Sequence, residues 1–261
     1  MEIVLYAFLT LGVLGAVFGI VLTIADKKFA VEIDPRVAQI RETLGGANCG
    51  ACGFAGCDAF AEAVVAGEAR PNGCPAANAE VIGKIMGMNV EQSEKMVARV
   101  LCQGVDGIAK ERYEYDGYSS CSVAASFAGG PKLCRFACIG LGDCMKVCGF
   151  DAISVKNGVA VVDESKCVGC GNCVEKCPRA AIKLEPADAR VLVFCRNSDV
   201  GRVARTQCMK ACIACQRCVK ECKYGAISVV DGFARIDTEK CTRCGECAKV
   251  CPCGCIEDFT I

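Results

Sequence analysis

The chain begins with one long apolar stretch. Ile3–Ala25 contains no charged residue, and its 23 positions are long enough to cross a bilayer as a tilted helix. Only Glu2 precedes it among charged residues, whereas Lys27 and Lys28 follow closely, so the positive-inside rule predicts that the rest of the chain is cytoplasmic. A signal peptide and a buried core helix are the alternatives. The stretch lacks the basic leader and the small-residue cleavage site of a signal peptide.

Further along, apolar and polar positions follow one helical and two hairpin patterns. Asp58–Glu68 places Phe60 and Val64 near one face, which predicts an amphipathic helix. Alternating residues around Asn-Gly and Asp-Gly pairs predict two β-hairpins. Their strands are Ala152–Val155 with Val159–Val162, and Ala226–Val229 with Phe233–Ile236.

Cysteine changes this picture more than any other residue type. The chain has 26 cysteines in 261 residues and no histidine. Sixteen of the cysteines form two copies of one pattern, and each copy contains a C-x2-C-x2-C-x3-C-P run. This run is a bacterial iron–sulfur signature in which the fourth cysteine binds the other cluster of a pair. Disulfides do not need such spacing, and a zinc site is the weaker alternative.

The two copies are related by one constant offset along the chain. It takes Cys134 to Cys208 and Cys177 to Cys251, and the same offset takes the Asn157 turn to the Asp231 turn. The hairpins therefore repeat together with the cysteines, which indicates a structural repeat.

An earlier group of cysteines has its own spacing, C-x2-C-x4-C-x16-C. It consists of Cys49, Cys52, Cys57 and Cys74, and five glycines lie around the first three. Glycine permits positive φ and close approach of the backbone, so N–H groups can point at cluster sulfurs. We expect one four-iron cluster here, with a structural four-cysteine zinc site as the alternative.

The repeat leaves one ligand position ambiguous. The second module has Leu141 where the third has Cys215, so we expect Cys134 to supply the missing thiolate. In the third module, the regular spacing favours Cys215 over Cys208. The expected sets of the second module are Cys134, Cys138, Cys144 and Cys177, and Cys148, Cys167, Cys170 and Cys173. Those of the third are Cys212, Cys215, Cys218 and Cys251, and Cys222, Cys241, Cys244 and Cys247.

With the N-terminal set, these twenty ligands predict five 4Fe-4S clusters. Six cysteines are left over and are interpreted as small buried hydrophobic residues. They are Cys102, Cys121, Cys195, Cys208, Cys253 and Cys255.

The patterns together predict an α+β protein. One N-terminal transmembrane helix precedes a small, mostly helical four-Cys iron–sulfur domain and two tandem two-cluster bacterial-ferredoxin modules. The expected divisions are 1–28 for the anchor, 34–90 for the single-cluster domain, 91–129 for a linker, 130–184 for the first ferredoxin module, 185–206 for a basic connector and 207–258 for the second ferredoxin module.

In the order of these parts the chain resembles the B subunit of the Rnf electron-transport complexes. The resemblance is carried by the N-terminal anchor, by GANCGACGFAGC with Cys74 downstream, and by CRFACIGLGDCMKVC followed by GFDAI. It implies a membrane-anchored component of an ion-translocating complex that passes electrons from reduced ferredoxin to NAD, with soluble ferredoxin and other Rnf subunits as partners. The second full ferredoxin module is a departure from shorter members of the family.

Charge adds a candidate docking region. The net charge is zero, but Arg179–Lys223 contains ten basic and four acidic residues. Such a stretch can steer an acidic ferredoxin, or it can balance the negative charge of clusters. Nucleic acid is a poor partner because basic and aromatic residues are not interleaved.

Two other functions remain open from the residues alone. A polyferredoxin subunit of a membrane hydrogenase has the same chemistry, but this interpretation does not account for the Cys49–Cys74 group. An iron or redox sensor needs one labile cluster and an output domain. We find no residue pattern for a catalytic site, so NAD reduction and ion passage are expected on partner chains.

Overall fold

The computed structural model describes residues 2–29 and 34–259. Its first element is helix α1, Glu2–Phe29. Within α1, Phe8–Phe29 has a mean hydropathy of 2.4, and none of this segment is buried against the rest of the protein. Lys27 and Lys28 lie in its last turn. The helix is long and apolar enough to cross a membrane. The expected anchor, 1–28, ends one residue before α1 does, and residue 1 lies outside the described residues.

Three helices build the domain that follows: α2, Pro35–Thr43; α3, Cys57–Ala66; and α4, Ala79–Ile85. Their small core contains the fully buried side chains of Ile40, Phe60, Val64 and Ile82. Helix α3 is slightly displaced from the expected helix. It ends at Ala66 because Gly67 takes a left-handed conformation with φ of 79°.

The second module combines two small antiparallel sheets with short helices. Strands β2 (Ile153–Lys156) and β3 (Val159–Val162) form a hairpin, and Asn157 and Gly158 both have the positive φ of a type I′ turn. Strand β1 (Met96–Val100) pairs with β4 (Ile182–Pro186). The helices are α5, Cys121–Ser126; α6, Asp143–Lys146; and α7, Asn172–Lys176. The segment expected as a linker, 91–129, thus supplies β1 and α5.

The third module repeats this arrangement. Strands β6 (Ile227–Val230) and β7 (Phe233–Ile236) form the hairpin, and β5 (Val191–Val193) pairs with β8 (Ile256–Asp258). Its helices are α8, Gly201–Gln207; α9, Arg217–Glu221; and α10, Glu246–Lys249. The basic connector, 185–206, therefore contributes β5 and most of α8 to this module.

The structural repeat extends upstream of the cysteine runs. Val100 pairs with Ile182, and Val193 pairs with Ile256, which is the repeat counterpart of Ile182. The next residue continues each ladder: Leu101 donates to Ala181, and Phe194 donates to Cys255, both at 2.7 Å. Strands β1 and β5 are therefore equivalent, although their sequences differ and their spacing along the chain does not follow the repeat offset.

Cysteines make up much of both module cores. In the second module they pack with small aliphatic residues such as Val97, Ala98 and Ala160, and in the third with Ala211, Ala234 and Val191. A core of this size buries little apolar area, so we expect such a module to be unstable without the iron–sulfur clusters predicted for its cysteines.

Candidate metal centres

The N-terminal domain brings its four expected cysteines together. Gly50 and Gly53 turn the chain between the first three with positive φ, and α3 begins at Cys57, whose N–H donates to Asn48 Oδ1 at 2.8 Å. Burial raises the pKa of the Cys74 thiol, and the nearby thiols of Cys52, Cys49 and Cys57 raise it further against a bond from the N–H of Ala76. The loop and the buried thiol therefore face each other.

In the second module, Cys148, Cys167, Cys170 and Cys173 form one group. The pKa of Cys173 is raised to about 11 by burial and by the thiols of the other three. Ala98 of β1 donates its N–H to Cys167 Sγ at 3.4 Å. Cys49 also raises the pKa of Cys170, and Asn172 Nδ2 donates to the Cys49 carbonyl at 3.1 Å. The single-cluster domain thus directly contacts this part of the second module.

Cys138, Cys144 and Cys177 form the second group, but its fourth neighbour is Cys121. The pKa of Cys144 is raised to about 12, first by burial and then by Cys138, Cys121 and Cys177. Cys121 begins α5 and packs beside Leu141, the residue that occupies the missing cysteine position. No spacing signal points to this cysteine, because it lies outside every repeated motif.

Asp143 holds Cys121 in this place. Its carboxylate accepts hydrogen bonds from Ser120 Oγ at 2.8 Å and from the N–H of Ser122 at 3.0 Å, on either side of Cys121. Burial alone raises the pKa of Asp143, but the bonds from Ser122 and Ser120 outweigh it, so the pKa is lowered. The carboxylate next to Cys144 therefore stays charged and fixes the start of α5.

The structure places Cys134 elsewhere than the spacing suggested. Its thiol neighbours are Cys102 and Cys208, and Asn197 Nδ2 donates to its Sγ at 3.4 Å. These partners lie toward the third module, because the chain turns immediately after Cys134, where the N–H of Ala137 bonds the Cys134 carbonyl. The four-residue step to Cys138 thus separates two sites instead of serving one.

In the third module, Cys212, Cys215, Cys218 and Cys251 line one cavity of about 340 Å³ that is open to solvent. A thiol bond from Cys255 lowers the pKa of Cys251 to about 5 and that of Cys212 to about 6. The Sγ atoms of Cys251 and Cys255 are 3.6 Å apart. Cys255 thus lies within thiol hydrogen-bonding range of both Cys251 and Cys212.

The last expected set consists of Cys222, Cys241, Cys244 and Cys247, and the structure brings the last three of these close together. The pKa of Cys247 is raised to about 12 by burial and by Cys241, Cys218 and Cys244. Cys222 follows the end of α9 and packs against the same core. Cys215 and Cys244 are exposed, in contrast to the other expected ligands, which are buried or half-buried.

The donor sets fit a group of several metal atoms. Within the described residues, no three or more His, Cys, Asp or Glu side chains come close enough to hold a single ion. The thiols of Cys212, Cys215, Cys218 and Cys251 instead line an open cavity, and backbone N–H groups bond Cys74, Cys138, Cys170 and Cys212. A tetrahedral zinc site would bring four sulfurs to about 2.3 Å from one centre, whereas N–H bonds to sulfur are typical of iron–sulfur clusters.

Comparison with known proteins gives three family matches. A model described as a putative Fe-S cluster matches residues 44–76, a 4Fe-4S binding domain matches 160–183, and a 4Fe-4S dicluster domain matches 211–255. These matches cover parts of the N-terminal domain and of both ferredoxin modules. The chain therefore carries iron–sulfur domains, as the cysteine spacing predicted.

Three relatives match nearly the whole chain. The B subunit of the Na(+)-translocating ferredoxin:NAD(+) oxidoreductase complex of Acetobacterium woodii is 47% identical over 94% of this chain and 75% of the relative. The B subunit of the ion-translocating oxidoreductase complex of Methanosarcina acetivorans is 40% identical over 92% of each chain. The B subunit of the proton-translocating ferredoxin:NAD(+) oxidoreductase complex of Clostridium ljungdahlii is 40% identical over 98% of this chain and 93% of the relative.

Proposed function

The chain belongs to the family of B subunits of ion-translocating (Rnf) oxidoreductase complexes, and on this premise we propose that it accepts electrons from soluble reduced ferredoxin. It passes them through a series of clusters toward the membrane subunits of the complex. The observation that carries the proposal is the arrangement of the cysteine sets from the exposed third module to the domain next to α1. NAD reduction and ion passage then take place on partner chains.

Five ligand sets belong to this proposal. Four are the sets expected from spacing: Cys49, Cys52, Cys57 and Cys74; Cys148, Cys167, Cys170 and Cys173; Cys212, Cys215, Cys218 and Cys251; and Cys222, Cys241, Cys244 and Cys247. In the fifth, Cys138, Cys144 and Cys177 are completed by Cys121 in place of Cys134, because the thiol of Cys121 raises the pKa of Cys144 and the Asp143 carboxylate fixes the residues on either side of Cys121. When bound, the 4Fe-4S clusters supply one-electron transfer.

The ends of the series follow from exposure and contact. Cys215 and Cys244 bring the third module's sulfurs to the surface, where a soluble donor can approach them. At the other end, Cys49 lies beside Cys170, which joins the single-cluster domain to the second module. Only four residues separate Phe29 of α1 from Asp34, so the single-cluster domain is tethered close to the anchor. Lys27 and Lys28 support a cytoplasmic location for all three modules.

Exposure and nearness to an exposed ligand together narrow the docking surface within Arg179–Lys223, since Arg202 and Arg205 are also exposed but precede Cys215 by ten or more residues. Arg179 and Arg196 are half-buried, and Arg179 donates to the Gly129 carbonyl. In contrast, Arg217, Lys220 and Lys223 are exposed on and just after α9, which starts two residues beyond Cys215. Positive charge beside an exposed ligand can steer an acidic ferredoxin toward the nearest cluster edge.

A charge-reversal experiment tests this surface. We expect Arg217→Glu/Lys220→Glu/Lys223→Glu to slow reduction by ferredoxin in stopped-flow absorbance, and the parent rate to fall as salt increases, because screening shortens the reach of the charges. The matched control reverses Lys156, Lys166 and Lys176, which are equally exposed on the second module. Equal slowing by both triple variants would reject the site, as would equal rates for the α9 variant and the parent at low salt.

The membrane orientation has its own test. We expect a reporter that works only in the cytoplasm to be active when it is fused after Ile261. If only a reporter that works outside the membrane were active at this position, the proposed side would be wrong, but the cluster assignments would be unaffected.

A further inference from the structure

Four cysteines outside these five sets meet between the second and third modules. Cys102, Cys134, Cys195 and Cys208 line one cavity of about 350 Å³. Cys134, Cys195 and Cys208 are buried, and Cys102 is half-buried. Burial raises the pKa of Cys134 to about 11, and the thiols of Cys102 and Cys208 contribute in the same direction. Burial raises the pKa of Cys195 to about 12, and the thiol of Cys134 contributes in the same direction. The four thiols are therefore close neighbours.

Each of these thiols accepts a hydrogen bond from the backbone N–H two residues further on. Gly104 N lies 3.3 Å from Cys102 Sγ. The other three donors are Phe136 to Cys134, Asn197 to Cys195 and Lys210 to Cys208. The same bond is present at expected ligands of the other sets, from Ala76 to Cys74, Gly140 to Cys138 and Ala214 to Cys212. The four cysteines thus share the backbone geometry of the ligand positions.

The two modules contribute equivalent pairs. Cys134 and Cys208 are counterparts in the repeat. Cys102 and Cys195 each lie two residues after the equivalent strand positions Val100 and Val193. Buried hydrophobic cysteines have no reason to converge as two matched pairs on one cavity, whereas a shared ligand set does.

Charge near the cavity favours an anionic occupant. Lys132 is 4% exposed, and its Nζ donates to the carbonyls of Gly104 and Gly158, each at 2.8 Å. Among the residues that the structure describes, no carboxylate pairs with it. A buried ammonium is costly unless an opposite charge compensates it. Its positive charge acts on the thiols of both Cys208 and Cys138.

We propose that Cys102, Cys134, Cys195 and Cys208 bind a further 4Fe-4S cluster at the junction of the two ferredoxin modules. With four thiolates such a cluster carries a net charge of roughly −2, which compensates Lys132. The proposal relies on the proposed function only for the kind of metal group. It assigns three of the six cysteines that spacing left without a role, and it gives Cys134 a place in a different set.

The site lies between ligands of both modules. Cys138 donates its N–H to Cys102 Sγ at 3.4 Å, and Cys212 donates to Cys195 Sγ at 3.2 Å. Cys138 and Cys212 are equivalent positions of the repeat, and each belongs to a different cluster set. A cluster at the junction therefore divides the gap between the two modules into two shorter distances.

The parent protein alone can test the site. After anaerobic purification we expect about 24 irons per chain instead of about 20, since each 4Fe-4S cluster adds four. Diffraction data collected at the iron absorption edge should show an anomalous peak between these four Sγ atoms. A cavity without such a peak, or one that holds a single zinc, would overturn the proposal whether or not any variant folds.

Variants provide a second measurement. Cys134→Ala/Cys208→Ala should lose about four irons and as many sulfides, whereas Cys253→Ala should lose none. Cys253 is equally buried but lies in no proposed set. An unchanged iron content in the double variant would reject the ligand set. If ferredoxin reduces the parent but the cavity lacks iron, only this inference fails; if the cavity holds iron but ferredoxin does not reduce the protein, the proposed donor fails.

Discussion

The second and third modules are two copies of one cysteine pattern, yet they differ in how their ligands are covered. All eight cysteines expected from spacing in the second module are buried or half-buried, whereas Cys215 and Cys244 of the third are exposed. The counterpart of Cys244 is Cys170, which lies beside Cys49 of the N-terminal domain. The counterpart of Cys215 is Leu141, which packs beside Cys121 of α5.

This difference shows that neighbours outside the repeat decide what each copy can do. Two added contacts cover the cysteines of the second module, which fits the internal place that we propose for it in the series. The third module keeps two sulfur positions at the surface, as a partner-facing site requires. Four predictions test this contrast, beginning with the largest expected effect.

The largest effect concerns Cys121, the ligand that we propose for the second module from outside its motif. Cys121→Ser should lose one cluster, about four irons, because Leu141 offers no thiolate. Adding Leu141→Cys to this variant should restore the iron, since it recreates the regular run of the third module. Iron and sulfide analysis with EPR measures both. An unchanged iron content in Cys121→Ser would mean that another cysteine is the fourth ligand. If Leu141→Cys did not restore the iron that Cys121→Ser loses, α5 would have a role other than supplying a ligand.

The next effect concerns exposure. In brief contact with air, the third module should release iron several times faster than the second, because oxidants reach exposed sulfurs more readily. Alkylation of the freed thiols followed by peptide mass spectrometry should detect Cys215 and Cys244 before Cys138 and Cys173. If the cysteines of both modules were labelled at the same rate, burial would not protect the second module from oxidation.

A smaller effect concerns Asp143, which corresponds to the exposed Arg217 in the third module. Asp143→Asn should destabilise the start of α5 by about 1–2 kcal/mol, because hydrogen bonds to a charged carboxylate are replaced by weaker bonds to a neutral amide oxygen. Since the pKa of Asp143 is lowered, its contribution is present at neutral pH and disappears only on strong acidification. The measurement is the guanidinium midpoint for loss of cluster absorbance.

The control for this substitution is Asp163→Asn. Asp163 also accepts hydrogen bonds from a nearby serine, Ser165, but it is exposed. If Asp163→Asn lowered the guanidinium midpoint as much as Asp143→Asn, the buried carboxylate would have no special role in stability.

The smallest effect compares two equivalent turn residues. Ala214 has a φ of 54°, whereas its counterpart Gly140 has a φ of 87° and lies so close to Gly158 that a Cβ would be 2.5 Å from the carbonyl oxygen. Ala214→Gly should stabilise the third module by about 0.5 kcal/mol, because relief of left-handed strain slightly exceeds the added chain entropy. Gly140→Ala should have the opposite sign. The same guanidinium midpoint measures both, and equal signs would contradict the comparison.

The sequence by itself determined the elements whose signals are local. The apolar run specified α1, the Asn-Gly and Asp-Gly turns specified both hairpins to within a residue, and the constant offset between cysteines identified the two modules. Cysteine spacing also indicated iron–sulfur chemistry, which the family matches confirm. These features depend on residues that are near neighbours along the chain, so no knowledge of distant contacts was needed.

Only the tertiary structure decided which cysteines meet across long separations. Cys121 reaches Cys144 because Asp143 anchors the start of α5, and Cys102 and Cys195 approach Cys134 and Cys208 because β1 and β5 pair with strands at the far ends of their modules. Neither strand lies in the repeated motif. The sequence around a cysteine also does not reveal which distant thiol will lie next to it in the fold. Spacing therefore identified the chemistry of the chain, whereas strand pairing and one buried carboxylate bring together the thiols that we propose as the remaining ligands.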